Sequence, residues 1–151
     1  MIQRIQTLYL LIVSILTFLI TRFPVMEITS DENIYSVTMP GASYIIKCLK
    51  YNAWPLLALC ISIILIALVA VFQFKKRLLQ IRLCIFNILL MVGFYIMLGG
   101  YYWILKEKFS ANEILLEPSV ILPAINIILS YLAIRAIRRD EALVRATDRL
   151  R

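Results

Sequence analysis

Two apolar runs, Trp54–Phe74 and Leu83–Leu105, contain no Asp, Glu, Lys, Arg or His, and the short stretch between them, Lys75–Arg82, holds four cations and no acid. As a helix, each run is long enough to cross a hydrocarbon layer of roughly 30 Å. Two further apolar runs, Ile5–Thr21 and Pro118–Ile134, lie on either side of this pair. The pattern predicts an all-α membrane protein, a four-transmembrane-helix bundle in a single domain over residues 1–151, with spans at about 5–21, 54–74, 83–105 and 118–134. An apolar run after a charged start also fits a signal peptide. No A-x-A-like site follows this one, so it is read as a retained first span.

The connections carry the remaining pattern. In residues 22–53, Met26 and Ile28 alternate with Val25, Glu27 and Thr29, and Tyr35 and Val37 alternate with Ile34, Ser36 and Thr38, around the turn cluster Ser30-Asp31-Glu32-Asn33. A small extracytoplasmic β-hairpin is expected there. It is too short for a core of its own, so it either caps the helices or offers a partner a strand edge. Residues 106–117 read as a mixed-charge outer loop, and Pro123 predicts a bend within the fourth helix. Tyr51, Trp54, Tyr95 and Tyr101-Tyr102-Trp103 fall at one depth, as an interfacial aromatic belt requires. The tail 135–151 repeats Ile137, Leu143 and Leu150 at helical spacing among six arginines, which predicts a cytoplasmic C-terminal helix.

Composition agrees with lipid as the solvent: 62% of residues are hydrophobic, only 17% are charged, and the mean hydropathy is +0.89. A net charge of +7 admits nucleic acid as a partner, but the cations cluster at the ends of apolar runs. Eleven of the sixteen Lys and Arg fall in the N-terminus, the middle turn and the tail, and five in the other two connections. Such asymmetry marks the cytoplasmic side, so both termini are expected inside. Membrane topology accounts for the charge without nucleic acid.

Chemistry is sparse. Histidine is absent, and Cys48, Cys60 and Cys84 form no C-x-x-C pair, so no metal or cofactor site is expected. Cys60 and Cys84 should lie near opposite ends of their helices, too far apart to bridge. No G-x-S-x-G or intramembrane carboxylate pair points to an enzyme. The polar residues inside the spans are Ser14, Thr17, Ser62, Asn87, Asn126 and Ser130. Interhelical hydrogen bonding explains them, and a polar path for a transporter or channel is the alternative. The candidate contacts to a partner or to anionic lipid are Arg4, Arg135, Arg138, Arg139, Arg145 and Arg149, with the stripe Ile137, Leu143 and Leu150.

Met1–Leu10, together with Ile137–Arg145 and Asp148–Arg151, resembles a domain-of-unknown-function family of small four-span bacterial inner-membrane proteins. The resemblance implies an inner-membrane location and no established activity. Both ends fall on the expected cytoplasmic side, where Gln3, Arg4 and Gln6 are expected to meet Arg138-Arg139-Asp140-Glu141, with Arg4 paired to Asp140 or Glu141. The resulting expectation is a non-enzymatic accessory or assembly subunit of a larger membrane complex, contacting the bilayer and a membrane-protein partner.

Overall fold

The computed structural model describes residues 3–29, 34–38, 49–52, 54–73, 76–109 and 113–149. Within them lie four helices, α1 (Gln3–Ile20), α2 (Trp54–Phe72), α3 (Arg77–Phe109) and α4 (Ile121–Arg149). Four short strands accompany them: β1 (Met26–Thr29), β2 (Ile34–Thr38), β3 (Leu49–Asn52) and β4 (Glu113–Leu116). Three helical stretches, Trp54–Phe72, Arg77–Glu107 and Pro118–Ala142, are long and apolar enough to cross a membrane. The apolar part of α1, Thr7–Ile20, is shorter.

The helices close on themselves. α1 packs against α2 and α4, and α3 packs against the same two. Their shared interior divides into three apolar clusters stacked along the axis. One joins Leu10, Ala70, Cys84, Ala133 and Ile137. The middle one joins Val13, Ile63, Ala67 and Met91. The third joins Ile20, Leu56, Cys60, Phe94, Leu98 and Leu105 to the strand residues Met26 and Val37. The starts of α1 and α3 thus lie at one end with the finishes of α2 and α4, and the sheet lies at the other.

The buried positions recur at alternating steps of four and three: Leu56, Cys60, Ile63, Ala67, Ala70 on α2, and Asn126, Ser130, Ala133, Ile137, Asp140 on α4. On α3 the same rhythm runs Gln80, Cys84, Asn87, Met91, Phe94, Leu98. A repeat of 3.5 residues keeps a seam facing its neighbours only when helices wrap gently around one another. Small residues such as Ala67 and Ala70 let backbones approach along that seam.

The sheet has the order β3-β2-β1-β4. β1 and β2 form the expected hairpin, with Met26 opposite Val37 and Thr29 opposite Ile34. Met26 and Val37 both point into the outer apolar cluster, so period-two alternation set the register here. Two strands extend the hairpin. β3 adds in parallel to β2, and β4 adds antiparallel to β1, pairing Met26 with Leu116. Glu117 then donates its amide to the Val25 carbonyl at 3.2 Å, and Ser119 Oγ donates to the Pro24 carbonyl at 2.6 Å. Tyr95 Oη donates to the Val120 carbonyl at 2.7 Å, fixing the start of α4 to the side of α3.

Three expectations are corrected. The basic segment Lys75–Arg82 is mostly helix, because α3 begins at Arg77 and runs for 33 residues, about 50 Å. Residues 106–117 are not a free loop: α3 continues to Phe109 and β4 finds an open edge on β1. The bend expected at Pro123 becomes a change of helix type, since a 3₁₀ turn at Pro118–Val120 leads into α4 at Ile121. Pro123 sits in the first turn of α4, where the missing N–H and the fixed φ are tolerated. Cys60 and Cys84 are free thiols in different apolar clusters, and Cys48 lies outside the described residues.

A Cβ built on Gly99 or Gly100 meets nothing within 4 Å. Both lie within α3, where glycine costs up to about 1 kcal/mol relative to alanine. Gly99→Ala and Gly100→Ala should each raise the thermal midpoint in detergent by an amount equivalent to several tenths of a kcal/mol.

Candidate functional site

The interior seam is where the side chains of α1, α3 and α4 bring polar chemistry together. Buried polar side chains stand beside exposed aliphatic ones: Asn87 and Ser130 are 1% and 0% exposed, while Leu89 and Ile128 beside them are 64% and 60% exposed. Leu8, Leu11 and Ile15 on α1 and Ile61 and Leu65 on α2 also face outward. Large aliphatic side chains on every helix therefore form the outer belt, while a few Ser, Thr and Asn side chains are buried inside among the apolar clusters. In water such a belt would be a severe liability; in lipid it is the favoured arrangement.

The predicted polar residues behave differently from one another. Ser14 Oγ donates to the Leu10 carbonyl at 3.0 Å and Thr17 Oγ1 to the Val13 carbonyl at 2.7 Å, each bonding back one turn along α1. Ser62 makes the same contact with Ala58 at 2.9 Å and is only half-buried, outside the seam. Asn126 joins two helices, its Nδ2 donating to Thr17 Oγ1 at 3.0 Å. Interhelical gluing, expected of the whole set, is thus shown here by the Asn126–Thr17 pair.

Asn87 and Ser130 sit at one level between apolar clusters. Asn87 lies between Cys84 below and Met91 above, and Ser130 lies between Ile127 and Ala133. Ser14 on α1 occupies the same level, next to Val13. Neither amide atom of Asn87, nor Ser130 Oγ, nor Asn126 Oδ1 has a hydrogen-bond partner. Each unsatisfied buried group costs roughly 1–3 kcal/mol. The sequence signals this level by the four-three spacing of its small and polar residues.

At the end away from the sheet, Arg77 Nη1 donates to the Asp140 carbonyl at 3.1 Å, tying the first turn of α3 to α4. Gln80 and Asp140 are buried there. The expected pairing of Arg4 with Asp140 or Glu141 falls on a side chain outside those described, and the contact made by Arg77 was not foreseen. Ile137, expected in a partner-facing stripe, is fully buried in the interior cluster instead, because the seam of α4 extends past its apolar span. Arg135, Arg138 and Arg139 are exposed. The side chains of Leu143, Arg145 and Arg149 and the whole of Leu150 lie outside the description, although α4 itself continues to Arg149.

Surface grooves lie toward both ends of the helices. One of about 630 Å³ runs along Tyr102, Trp103, Lys106 and Glu107 at the sheet end of α3. The other, of about 420 Å³, lies at the opposite end between α3 and α4, lined by Leu78, Ile81, Arg138, Glu141 and Ala142. Among the described residues no group of three or more His, Cys, Asp or Glu could hold a metal ion.

Fold and interior together define a helical protein with membrane-length apolar helices, a small sheet at one end and a polar seam. The chain belongs to the family known as Domain of unknown function (DUF4293), whose model matches residues 2–150. No curated protein and no solved structure matches the chain.

The seam makes two asparagines separable. Asn126→Leu removes a bond between helices and should destabilise the protein by about 0.6–1.7 kcal/mol. Asn87→Leu removes an amide with no partner at similar volume and should be neutral or stabilising. Thermal unfolding of both variants in one detergent checks the contrast.

Proposed function

We propose that this chain is a four-span, non-enzymatic membrane protein that serves as an accessory or assembly subunit of a larger bacterial inner-membrane complex. The carrying observation is the outer surface of all four helices, where large aliphatic residues stand exposed around an interior that is itself apolar apart from a few buried Ser, Thr and Asn. That pattern on α1 supports counting it as a span, although its apolar part is the shortest. On this reading the four helices form a bundle, with the Arg77 end in the cytoplasm and the sheet outside. The clustering of Lys and Arg at the Arg77 end supports that orientation.

Two surfaces suit partners. Outside, β4 is an edge strand with Leu115 and Leu116 exposed, a form that accepts an added strand. Inside, α4 continues beyond Ile134, the end of its uncharged run, to Arg149. A transporter or channel is the second reading, favoured by the unpartnered polar atoms of Asn87, Asn126 and Ser130. Against it, the cluster around Phe94, Leu98 and Leu105 fills the axis between that level and the sheet. Ion-coupled transport also usually places an ionisable residue at mid-membrane depth, and none of the spans contains one.

Affinity purification of the full chain in mild detergent should recover a stoichiometric membrane partner. Deleting residues 143–151 should abolish recovery while leaving the packed residues Ile137 and Asp140 in place. Selective flux in proteoliposomes, lost in Asn126→Leu, would instead establish transport and displace the subunit reading.

A further inference from the structure

The groove between α3 and α4 at the Arg77 end is two-faced in a way that neither a soluble ligand nor a protein helix requires. Its lining is aliphatic at Leu78, Ile81 and Ala142 and carries Arg138 and Glu141 beside them. One turn from Arg138 along the same face of α4 lies Arg135, and one turn from Leu78 along α3 lies Arg82; both are exposed. The acid in the lining, Glu141, is already engaged by a neighbour within the protein. Arg77 is held on the Asp140 carbonyl, which keeps the two helices at fixed separation here.

Away from this end the groove runs onto bare apolar surface. Ile85 and Leu89 continue the outer face of α3, and Tyr131 and Ile128 continue that of α4, all well exposed. Cations at one end of an apolar track match one kind of molecule, an amphiphile with an anionic head and a long hydrocarbon tail. Basic pockets between helices at the cytoplasmic headgroup level suit such heads. Guanidinium groups also present paired donors that fit the oxygens of a phosphodiester.

We propose that this groove seats one anionic phospholipid, its phosphodiester against Arg138 with Arg82 and Arg135 flanking, and an acyl chain along Ile85 and Tyr131. The proposal rests on the membrane reading above. The lipid wedges between α3 and α4 where the Arg77–Asp140 contact is the polar tie between them, and so strengthens the junction of the span with its basic extension.

The test is native mass spectrometry of the full chain in a neutral detergent, titrated with phosphatidylglycerol, phosphatidylcholine or inorganic phosphate. Phosphatidylglycerol should bind at least about five-fold more tightly than phosphatidylcholine, and Arg138→Gln should weaken it about five-fold. Arg138→Gln/Arg82→Gln should weaken it further. Arg22→Gln, at the sheet end where Arg22 lies over the Phe18 ring at 5.0 Å, should leave it unchanged. Equal binding of the two lipids, equal loss in Arg22→Gln, or displacement by millimolar inorganic phosphate would overturn the proposal while the chain still fractionates with membranes. Failure to fractionate with membranes would overturn the membrane reading as well.

Discussion

On the membrane reading, the absence of water around the helices is the constraint on which the placement of their polar groups depends. In hydrocarbon an unpaired N–H or C=O costs several kcal/mol, which leaves continuous helix as the economical way across. The same constraint explains why Ser14, Thr17 and Ser62 all bond back to their own helices. It also explains why the charged segments at Arg77–Arg82 and Lys106–Lys108 sit at the two ends of α3. A helix of 33 residues is longer than a hydrocarbon layer of roughly 30 Å, so across such a layer its charged ends would reach past it without leaving the helical conformation.

With no hydrophobic force between helices in lipid, contact depends on shape and on a few polar bonds. The seam supplies shape through its four-three rhythm and supplies the Asn126–Thr17 bond near the sheet end. At the opposite end Arg77 joins α4 through a carbonyl. Between these two ties lies the level of Asn87 and Ser130, where polar atoms are buried without partners. The interior is thus tied at both ends and unsatisfied in the middle, the reverse of a protein whose polar groups are all committed to stability.

The apolar runs were legible because nothing but long uncharged segments produces them, and the β1–β2 hairpin because alternation survives from Met26 to Val37. Helix ends were less so. Charge marks where a span leaves the apolar layer, but helical hydrogen bonding continues through residues such as Arg77 and Lys106, so the basic segment looked like a turn and proved to be α3. β4 was hidden because Glu113–Leu116 acquires strand character only from its pairing with β1, far away in sequence. Ile137 misled because an apolar residue among arginines reads as a surface stripe when the seam that buries it is unknown. The polar seam residues were visible one by one, and their partnering was not, since a bond such as Asn126 to Thr17 depends on which faces meet.

The strand order carries one more implication. β1 follows the first helix, β4 precedes the fourth, and more than eighty residues separate their paired positions. During synthesis β1 and β2 can meet early, yet the position beside β1 stays vacant until α2 and α3 have both been made and have brought the chain back to the sheet. A chain whose α2 and α3 failed to pack would leave that edge of β1 open, with unpaired N–H and C=O groups on display.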